Sequence, residues 1–472
     1  MKQGEEIILL REQNAVLRKE NADLVKEVQQ LKVQVEELQG RINKDSKNSS
    51  KPPSTDIRRT KSLRLSSGKK QGGQRGHQGM TLPMSDLPDK IIEHRVTQCA
   101  GCGKDISVYH SHRYERRQVY DIPPMRMHIT EHRAEIKRCV HCQTENTAPF
   151  PEEVPDGVQY GNNVKQLGVY LTQYQLLPYE RSAELIEDMT GHRLSTGSLV
   201  NFTGQCSDRL GGFIEGLKKH LKQSEVLHSD ETGFRYQGKR QWLHVAATED
   251  STLYMAHAKR GTEAMDAMGI LPEYRGVNVH DYWKSYLAYD CEHALCNAHH
   301  LRDLTFCYEQ EKSGWAKEMI ALLLLIKSKV DEAKRQGQKS LEESERLSLI
   351  GQYDTLIQQG HLQHPIAEKP KGKRGRVKKT KTQNMLIRFD EHQDDILRFM
   401  EDFNVPFDNN LAERAIRMMR LKQKISGCFR SSKGAETFAV IRSYIDTLRK
   451  NGMPIMMALA KAIEGNPCRA PT

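Results

Sequence analysis

A leucine recurs at every seventh position close to the N-terminus, and this repeat constrains the local fold more tightly than any other feature. The repeated residues are Leu10, Leu17, Leu24, Leu31 and Leu38. If these are the d positions of a heptad, the a positions are Ile7, Asn14, Asn21, Val28, Val35 and Ile42. Leucine at d with β-branched residues at a favours a parallel two-stranded coil, and a buried Asn fixes its register because each copy needs its counterpart. Residues 1–45 therefore predict a coiled coil that makes a homodimer; the alternative is an amphipathic helix packed on its own chain.

The next segment, residues 46–92, changes to serine, glycine, proline and basic residues, with little to bury. This composition is typical of a flexible linker. The whole chain carries 72 Lys and Arg against 61 Asp and Glu, a formal charge of +11, which indicates a polyanionic partner. The basic side chains of the linker could neutralise DNA phosphates, or they could simply keep a spacer solvated.

The sequence has no apolar run of eighteen residues or more, so we expect no membrane partner. Its first residues, MKQGEEII, have no apolar signal-peptide core, which predicts a cytoplasmic protein. In that compartment the ten cysteines are expected to be thiols or metal ligands rather than disulfides.

Residues 93–150 contain two CxxC pairs, Cys99 with Cys102 and Cys139 with Cys142. Two such knuckles can supply four thiolates to one tetrahedral zinc, so this small module predicts a structural Zn²⁺; free thiols are the alternative. The intervening stretch is longer than the common zinc-ribbon spacing. Apolar and polar residues alternate in QVYDIP, 118–123, and in MRMHITEHRAEIKRC, 125–139, which predicts strands that fill the gap.

Residues 151–222 have apolar residues at helical spacings of three and four. Gly191 is expected to end one helix, and Ser195 or Thr196 to begin the next. A helix, a short turn and a second helix would suit a helix-turn-helix reader of DNA, although any helical bundle gives the same pattern.

From residue 224 the pattern changes to three strand-like runs, followed by a helix, a strand, a helix and a strand. This is the order of a ribonuclease H-like fold, which we assign to residues 223–300 and 401–450. Asp230 would lie in the middle of the first strand and Asp281 at the end of the fourth, where sites gather in open α/β sheets. A third acid, Glu413, would come from a helix capped by Asp408 or Asn409. Fold class is thus α+β and multidomain.

Helical patterns fill residues 301–400 and predict an insertion that packs beside the core. A lysine-rich run at 368–383 interrupts them and would be either a solvated loop or an arm that contacts phosphates through Lys373, Arg374 and Arg376. Residues 451–472 are interpreted as a C-terminal tail.

Three short segments resemble the acidic motifs of the IS66-family transposases: HSDETGFR, HDYWKSY and FDNNLAERAIR. The N-terminal heptad, the NSSKPPSTD and GGQRGHQG segments and the paired CxxC module are similar to that family too. The resemblance implies a DDE transposase with a ribonuclease H-like core, whose catalytic triad is Asp230, Asp281 and Glu413. It also implies binding to the ends of a DNA element and to target DNA, with accessory proteins of the element as further partners.

The implied chemistry explains why carboxylates are needed. Phosphoryl transfer can use two divalent ions, and Mg²⁺ or Mn²⁺ prefers hard oxygen ligands. Asp230 would bridge both ions, Asp281 would hold one and Glu413 the other. Arg414 and Arg417, which flank Glu413 on its helix, could clamp phosphate.

Other roles for the same residues remain open. Each acid could instead be structural: Asp230 in a turn, Asp281 as the cap of a helix that begins at Tyr282, and Glu413 as the partner of Arg417. Glu231 should point to the sheet face opposite Asp230, and in the turn interpretation it would be exposed. CNAH, 296–299, matches a CxxH element found in many DDE enzymes; without an acidic partner in that motif, packing is the favoured role of Cys296 and His299.

Two other functions would fit the same pattern. One is a DNA-binding regulator on a transposase-derived scaffold without catalysis. The other is a ribonuclease H-like nuclease that cuts DNA without joining it, since cutting and joining would use the same triad.

Overall fold

The computed structural model of the protein describes residues 2–45, 48, 81–366 and 379–471. Most of the expected basic linker, and the expected phosphate contacts Lys373, Arg374 and Arg376, lie outside the described residues. Within the described ranges, no helix is both long enough and apolar enough to cross a membrane.

The described secondary structure consists of fourteen α-helices, seven strands, one π-helical turn (Tyr170–Tyr174) and two 3₁₀ turns (Leu271–Glu273 and Tyr286–Ala288). The helices are α1 (Lys2–Ile42), α2 (Asn162–Val169), α3 (Tyr179–Thr190), α4 (Thr196–Asp208), α5 (Gly211–Gln223), α6 (Thr262–Met268), α7 (Asn297–Glu311), α8 (Gly314–Arg335), α9 (Glu343–Gln363), α10 (Lys381–Glu391), α11 (Gln393–Glu401), α12 (Asn410–Ser426), α13 (Ser432–Lys450) and α14 (Ile455–Ile463). The strands are β1 (Ile136–Arg138), β2 (Glu145–Thr147), β3 (Val226–Tyr236), β4 (Lys239–Ala247), β5 (Thr252–His257), β6 (Val277–His280) and β7 (Glu292–Leu295).

The heptad segment forms one continuous helix, α1, of 41 residues. At ~1.5 Å per residue it is about 60 Å long. Four leucines of the seam are more than half exposed: Leu17 (55%), Leu24 (56%), Leu31 (52%) and Leu38 (55%). Within the described residues these four side chains are not covered by another part of the chain, which does not favour the alternative of an amphipathic helix packed on its own chain.

The segment between the CxxC pairs differs from the prediction. Only β1 forms within this segment, and it pairs with β2, which follows the second CxxC pair, as a short antiparallel hairpin. The strand predicted at 118–123 is absent there, and the one predicted at 125–139 is reduced to its last residues. Val119 and Ile129 are 92% and 86% exposed. Alternating polarity describes a strand that is half buried, but here no neighbouring strand or core covers the apolar side.

The main sheet has five strands in the order β5-β4-β3-β6-β7. Strands β3, β4 and β5 are antiparallel neighbours, whereas β6 runs parallel to β3 and β7 parallel to β6. The predicted sequence of strands and the first crossover helix, α6, are confirmed. The predicted helix between β6 and β7 is wrong: a single 3₁₀ turn, Tyr286–Ala288, takes its place. The Asp281 carboxylate accepts the Trp283 N–H at 3.0 Å, and such a local turn competes with helix formation.

Helices cover both faces of this sheet. On one face, α2 to α5 and α14 share a hydrophobic cluster with Leu227, Ala246 and Leu253 of the strands. On the other face, Phe234 and Val245 pack with Ile416 of α12. Asp230 pairs directly with Val245, so its side chain lies on the face that α12 covers.

Three further expectations concern the helical regions. Gly191 ends α3 in the left-handed conformation, with φ of 74°, and the Ser195 side chain caps α4 by accepting the Ser198 N–H at 2.9 Å; both positions are as predicted. Helices α7 to α11 pack as a bundle against the β6–β7 edge of the sheet. The expected C-terminal tail contains α14, whose Leu459 is fully buried, so this part of the chain belongs to the core.

Candidate functional site

Three acidic residues from three different elements approach one edge of the sheet, although within the described residues their carboxylate oxygens do not all lie within 4.8 Å of one another. Asp230 is in the middle of β3, Asp281 directly follows β6, and Glu413 is in the first turn of α12. The last paired residues of the parallel strands are His228 and Val279, and each Asp comes two positions later. The same register therefore brings Asp230 and Asp281 side by side, while α12 covers this face of β3.

Burial and nearby negative charges raise the pKa values of two of these acids, Asp230 and Asp281. Burial, followed by the negative charges of Glu231, Asp281 and Glu413, raises the pKa of Asp230 well above its usual value. Burial and the charge of Glu231 also raise the pKa of Asp281 to about 6. A group of carboxylates that disfavour one another's ionised form would be stabilised by a divalent cation. Hard oxygen ligands suit Mg²⁺ or Mn²⁺, so these residues fit that class of ion.

Asn409 holds the start of α12 through hydrogen bonds to β3 rather than through a side-chain cap on the helix itself. Asn409 occupies the capping position without a side-chain bond to its own helix. Its Oδ1 accepts from His228 Nδ1 at 2.9 Å, and its Nδ2 donates to the Ser229 carbonyl at 2.8 Å. Its backbone N–H donates to the Cys296 sulfur at 3.2 Å. This buried side chain therefore ties the helix that carries Glu413 to the strand that carries Asp230.

A second group of side chains surrounds Glu413. The ligand atoms of Cys296, His299 and Glu413 all lie within 4.8 Å of one another, and in the described part of the chain this is the only such group of three or more His, Cys, Asp or Glu. Burial raises the pKa of Cys296 to about 12 and lowers that of His299 to about 4, so this imidazole is neutral near pH 7. The CxxH motif itself contains no acidic residue, but the fold brings Glu413 of α12 beside it.

The arginines near Glu413 are arranged around its carboxylate. Arg302 Nη2 lies 3.6 Å from Oε1, and Arg417 Nη2 lies 3.8 Å from Oε2. Arg417 is 67% exposed, and Arg414, also exposed, donates from Nε to the Asn410 carbonyl at 3.3 Å. Arg414 and Arg417 thus remain accessible to a ligand. No sequence pattern points to the third arginine, Arg302.

Glu231 lies on the opposite side of β3, as predicted, but it is not exposed. Its Oε1 is 2.7 Å from Arg260 Nε, and its Oε2 accepts the Tyr286 hydroxyl. Arg260 also lies 3.9 Å from the ring centroid of Trp283. This buried ion pair supports the loop that follows Asp281. No pattern in the sequence predicts this ion pair, because Arg260 and Tyr286 come from turns that are distant from Glu231 along the chain.

Each CxxC pair forms a closed turn. The Cys99 carbonyl accepts the Gly103 N–H, and the Cys139 carbonyl accepts the Gln143 N–H, both at 2.9 Å. Hydrogen bonds, chiefly from the Cys102 backbone, lower the pKa of Cys99, and the Thr144 hydroxyl does the same for Cys142. Lowered pKa values favour the thiolate that zinc requires. Within the described residues, however, the four sulfurs are not gathered within 4.8 Å of one another.

Comparison with protein-family models matches residues 157–437 to the model described as "Transposase IS66 family". The matched span covers more than half of the 472 residues and contains all three acids. A second model, for a family of unknown function (DUF6444), matches residues 8–83. A search among curated proteins finds no match.

Proposed function

The chain belongs to the IS66 family of transposases, and from that premise we propose that it catalyses metal-dependent cleavage of DNA and transfer of the cut strand at the ends of an insertion sequence. Asp230, Asp281 and Glu413 would be its catalytic acids, in the manner of a DDE transposase with a ribonuclease H-like core. The observation that carries this proposal is the placement of the three acids: Asp230 is within β3, Asp281 directly follows β6 and Glu413 is in the first turn of α12. The charges of Asp281 and Glu413 contribute to the raised pKa of Asp230. Perturbed acids that come together from separate elements are typical of a functional site.

The acids would hold two Mg²⁺ or Mn²⁺ ions. Such a pair supplies activation of the attacking oxygen and stabilisation of the leaving oxygen in an in-line displacement. The chain's own contribution is position: β3 and β6 hold Asp230 and Asp281 at one edge, and Asn409 holds the start of α12 against β3.

The outer face of α12 offers a surface for the DNA backbone. Arg414, Arg417, Arg420 and Lys424 are all exposed and recur at spacings of three or four, so they form one basic stripe along the helix. Arginine suits bidentate contact with phosphate. Lys373, Arg374 and Arg376 lie outside the described residues and stay proposed phosphate contacts on the basis of the sequence alone. In contrast, α4 contains no lysine or arginine, so the stripe on α12 is the better candidate for backbone contact than a helix-turn-helix built on α3 and α4.

Two copies of the chain would act together. The exposed seam of α1, with Leu17, Leu24 and Leu31 on one side, suits a parallel pairing with a second copy. A dimer of this kind would bring two sets of acids to two element ends.

The CxxC module would bind one structural zinc through Cys99, Cys102, Cys139 and Cys142. The two closed turns and the lowered pKa values of Cys99 and Cys142 support this role. Metal binding would draw the two knuckles together, because a tetrahedral site needs all four thiolates at one ion.

The direct test is nicking of a DNA fragment that carries the sequence flanking the gene, in the presence of Mg²⁺. Asp230→Asn should abolish nicking, while Asp290→Asn, the same change at an exposed acid, should leave it unchanged. Equal nicking by Asp230→Asn and the unmodified chain would refute the assignment of this acid. A chain that binds the fragment but never cuts it would instead be a regulator. Cutting without joined products would indicate a nuclease.

A further inference from the structure

The group formed by Cys296, His299 and Glu413 has the composition of a metal site of its own. Cys296 directly follows β7 and precedes α7, His299 is in the first turn of α7, and Glu413 comes from the first turn of α12. The sulfur, nitrogen and oxygen that they offer lie within 4.8 Å of one another. Two separate helices are thus held with their N-terminal turns together around three potential ligands.

Two of these three ligand atoms have no hydrogen-bond partner. In the described structure His299 Nδ1 and Glu413 Oε1 are both buried and make no hydrogen bond. These two atoms lie 3.6 Å apart, and Arg302 Nη2 lies 3.6 Å from the same Glu413 oxygen. Buried polar atoms nearly always have a hydrogen-bond partner, so two neighbouring atoms without one suggest a site for a ligand. The third atom, Cys296 Sγ, accepts one N–H from Asn409, a bond that a ligating sulfur can keep.

We propose that Cys296, His299 and Glu413 bind a transition-metal ion of the Zn²⁺ class. A thiolate and a neutral imidazole select such an ion over Mg²⁺, which prefers oxygen ligands. Three protein ligands leave one position open, as in catalytic rather than structural zinc sites. This site shares Glu413 with the proposed triad, but its existence does not depend on the triad being catalytic.

Two features lower the affinity of this site for a cation. Arg302 Nη2 lies 3.6 Å from the same Glu413 oxygen, and its positive charge opposes any cation. Binding must also convert the Cys296 thiol to a thiolate, and the released proton goes to solvent. A bound ion would hold Oε1 of Glu413 against the start of α7, so it would act as a positioning element for this acid.

Cobalt titration of the full-length chain, stripped of metal and free of DNA, tests the proposal. Co²⁺ bound to a thiolate gives a charge-transfer absorption that Co²⁺ on carboxylates alone lacks. Cys296→Ser should bind one Co²⁺ per chain fewer than the unmodified protein and lose the corresponding part of this absorption, whatever number the CxxC module binds. The matched control is Cys307→Ser, a buried cysteine of the same helix outside the group, which should bind the full number.

Two further variants keep the test decisive. His299→Gln and Glu413→Gln should each weaken this one site, so the conclusion does not depend on how well Cys296→Ser folds. Asp230→Asn should retain the thiolate absorption even though it loses nicking, which separates this proposal from the proposed function. Unchanged cobalt stoichiometry and absorption in Cys296→Ser and in both other ligand variants would overturn the proposal.

Discussion

Replacing Asn409 with alanine should loosen the connection between α12 and β3. The substitution removes two hydrogen bonds, one from His228 Nδ1 and one to the Ser229 carbonyl. All three residues are buried, so water cannot replace the lost partners. A buried group left unpaired costs about 1–3 kcal/mol, so two such groups predict a loss of about 2–6 kcal/mol in the free energy of unfolding. A displacement of the Glu413 carboxylate on the order of 1 Å would also reduce nicking by about 100-fold.

Urea unfolding and Mg²⁺-dependent nicking measure the two effects. The matched control is Asn410→Ala, because Asn410 is the next residue and is exposed; its effect on stability should stay within about 0.5 kcal/mol. Asn409→Asp keeps the acceptor for His228 but loses the donor to Ser229, so its stability should fall between the two. If Asn409→Ala unfolds at the same urea concentration as Asn410→Ala and nicks DNA normally, then α12 is not held by this side chain.

Three other predictions concern separate parts of the molecule. The pKa of Asp281 is about 6 in the folded chain, above ~3.9 in the unfolded chain. Because the folded chain holds this proton more tightly, the metal-free protein should lose stability as pH rises through about 6. Asp281→Asn should therefore raise the urea midpoint at pH 8 and not at pH 4. Each leucine-to-alanine change in the seam costs about 2–5 kcal/mol, so light scattering should show monomers when the triple change is made at Leu17, Leu24 and Leu31; a dimer that survives would place the interface elsewhere. Elemental analysis should find one zinc per chain fewer in the double variant Cys99→Ser, Cys142→Ser than in the unmodified protein, and no loss in Cys428→Ser, a change at an exposed cysteine. Disulfides at the knuckles without metal would contradict this.

The sequence predicts most where a feature depends on neighbouring residues. The heptad specifies α1, the turn signals at Gly191 and Ser195 delimit α3 and α4, and the strand pattern places Asp230 within β3. Alternation along a strand also assigns Asp230 and Glu231 to opposite faces, because successive side chains point in opposite directions.

Features that depend on distant partners are not predictable in this way. Polarity alternates between 118 and 129, yet no strand forms there, since the pattern says nothing about what would pair with it. Cys296 and Asn409 are in contact although they are 113 positions apart, and the same approach of α7 and α12 brings Glu413 to His299. From the CxxH motif alone, a packing role is therefore the favoured interpretation of Cys296 and His299. The burial of Glu231 was missed for the same reason: its partner Arg260 comes from the turn after β5.

The central claim is that Asp230, Asp281 and Glu413 together perform both cutting and joining. Its most direct test is the joining step alone: a pre-cut element end with a free 3′-hydroxyl, a target plasmid, and Mg²⁺ or Mn²⁺, with joined product measured on a gel. If the three acids act together, the unmodified chain joins the end to the target. Asp230→Asn, Asp281→Asn and Glu413→Gln should each still bind the end but fail to join it. Joining at the unmodified rate by any of these three variants would contradict the claim.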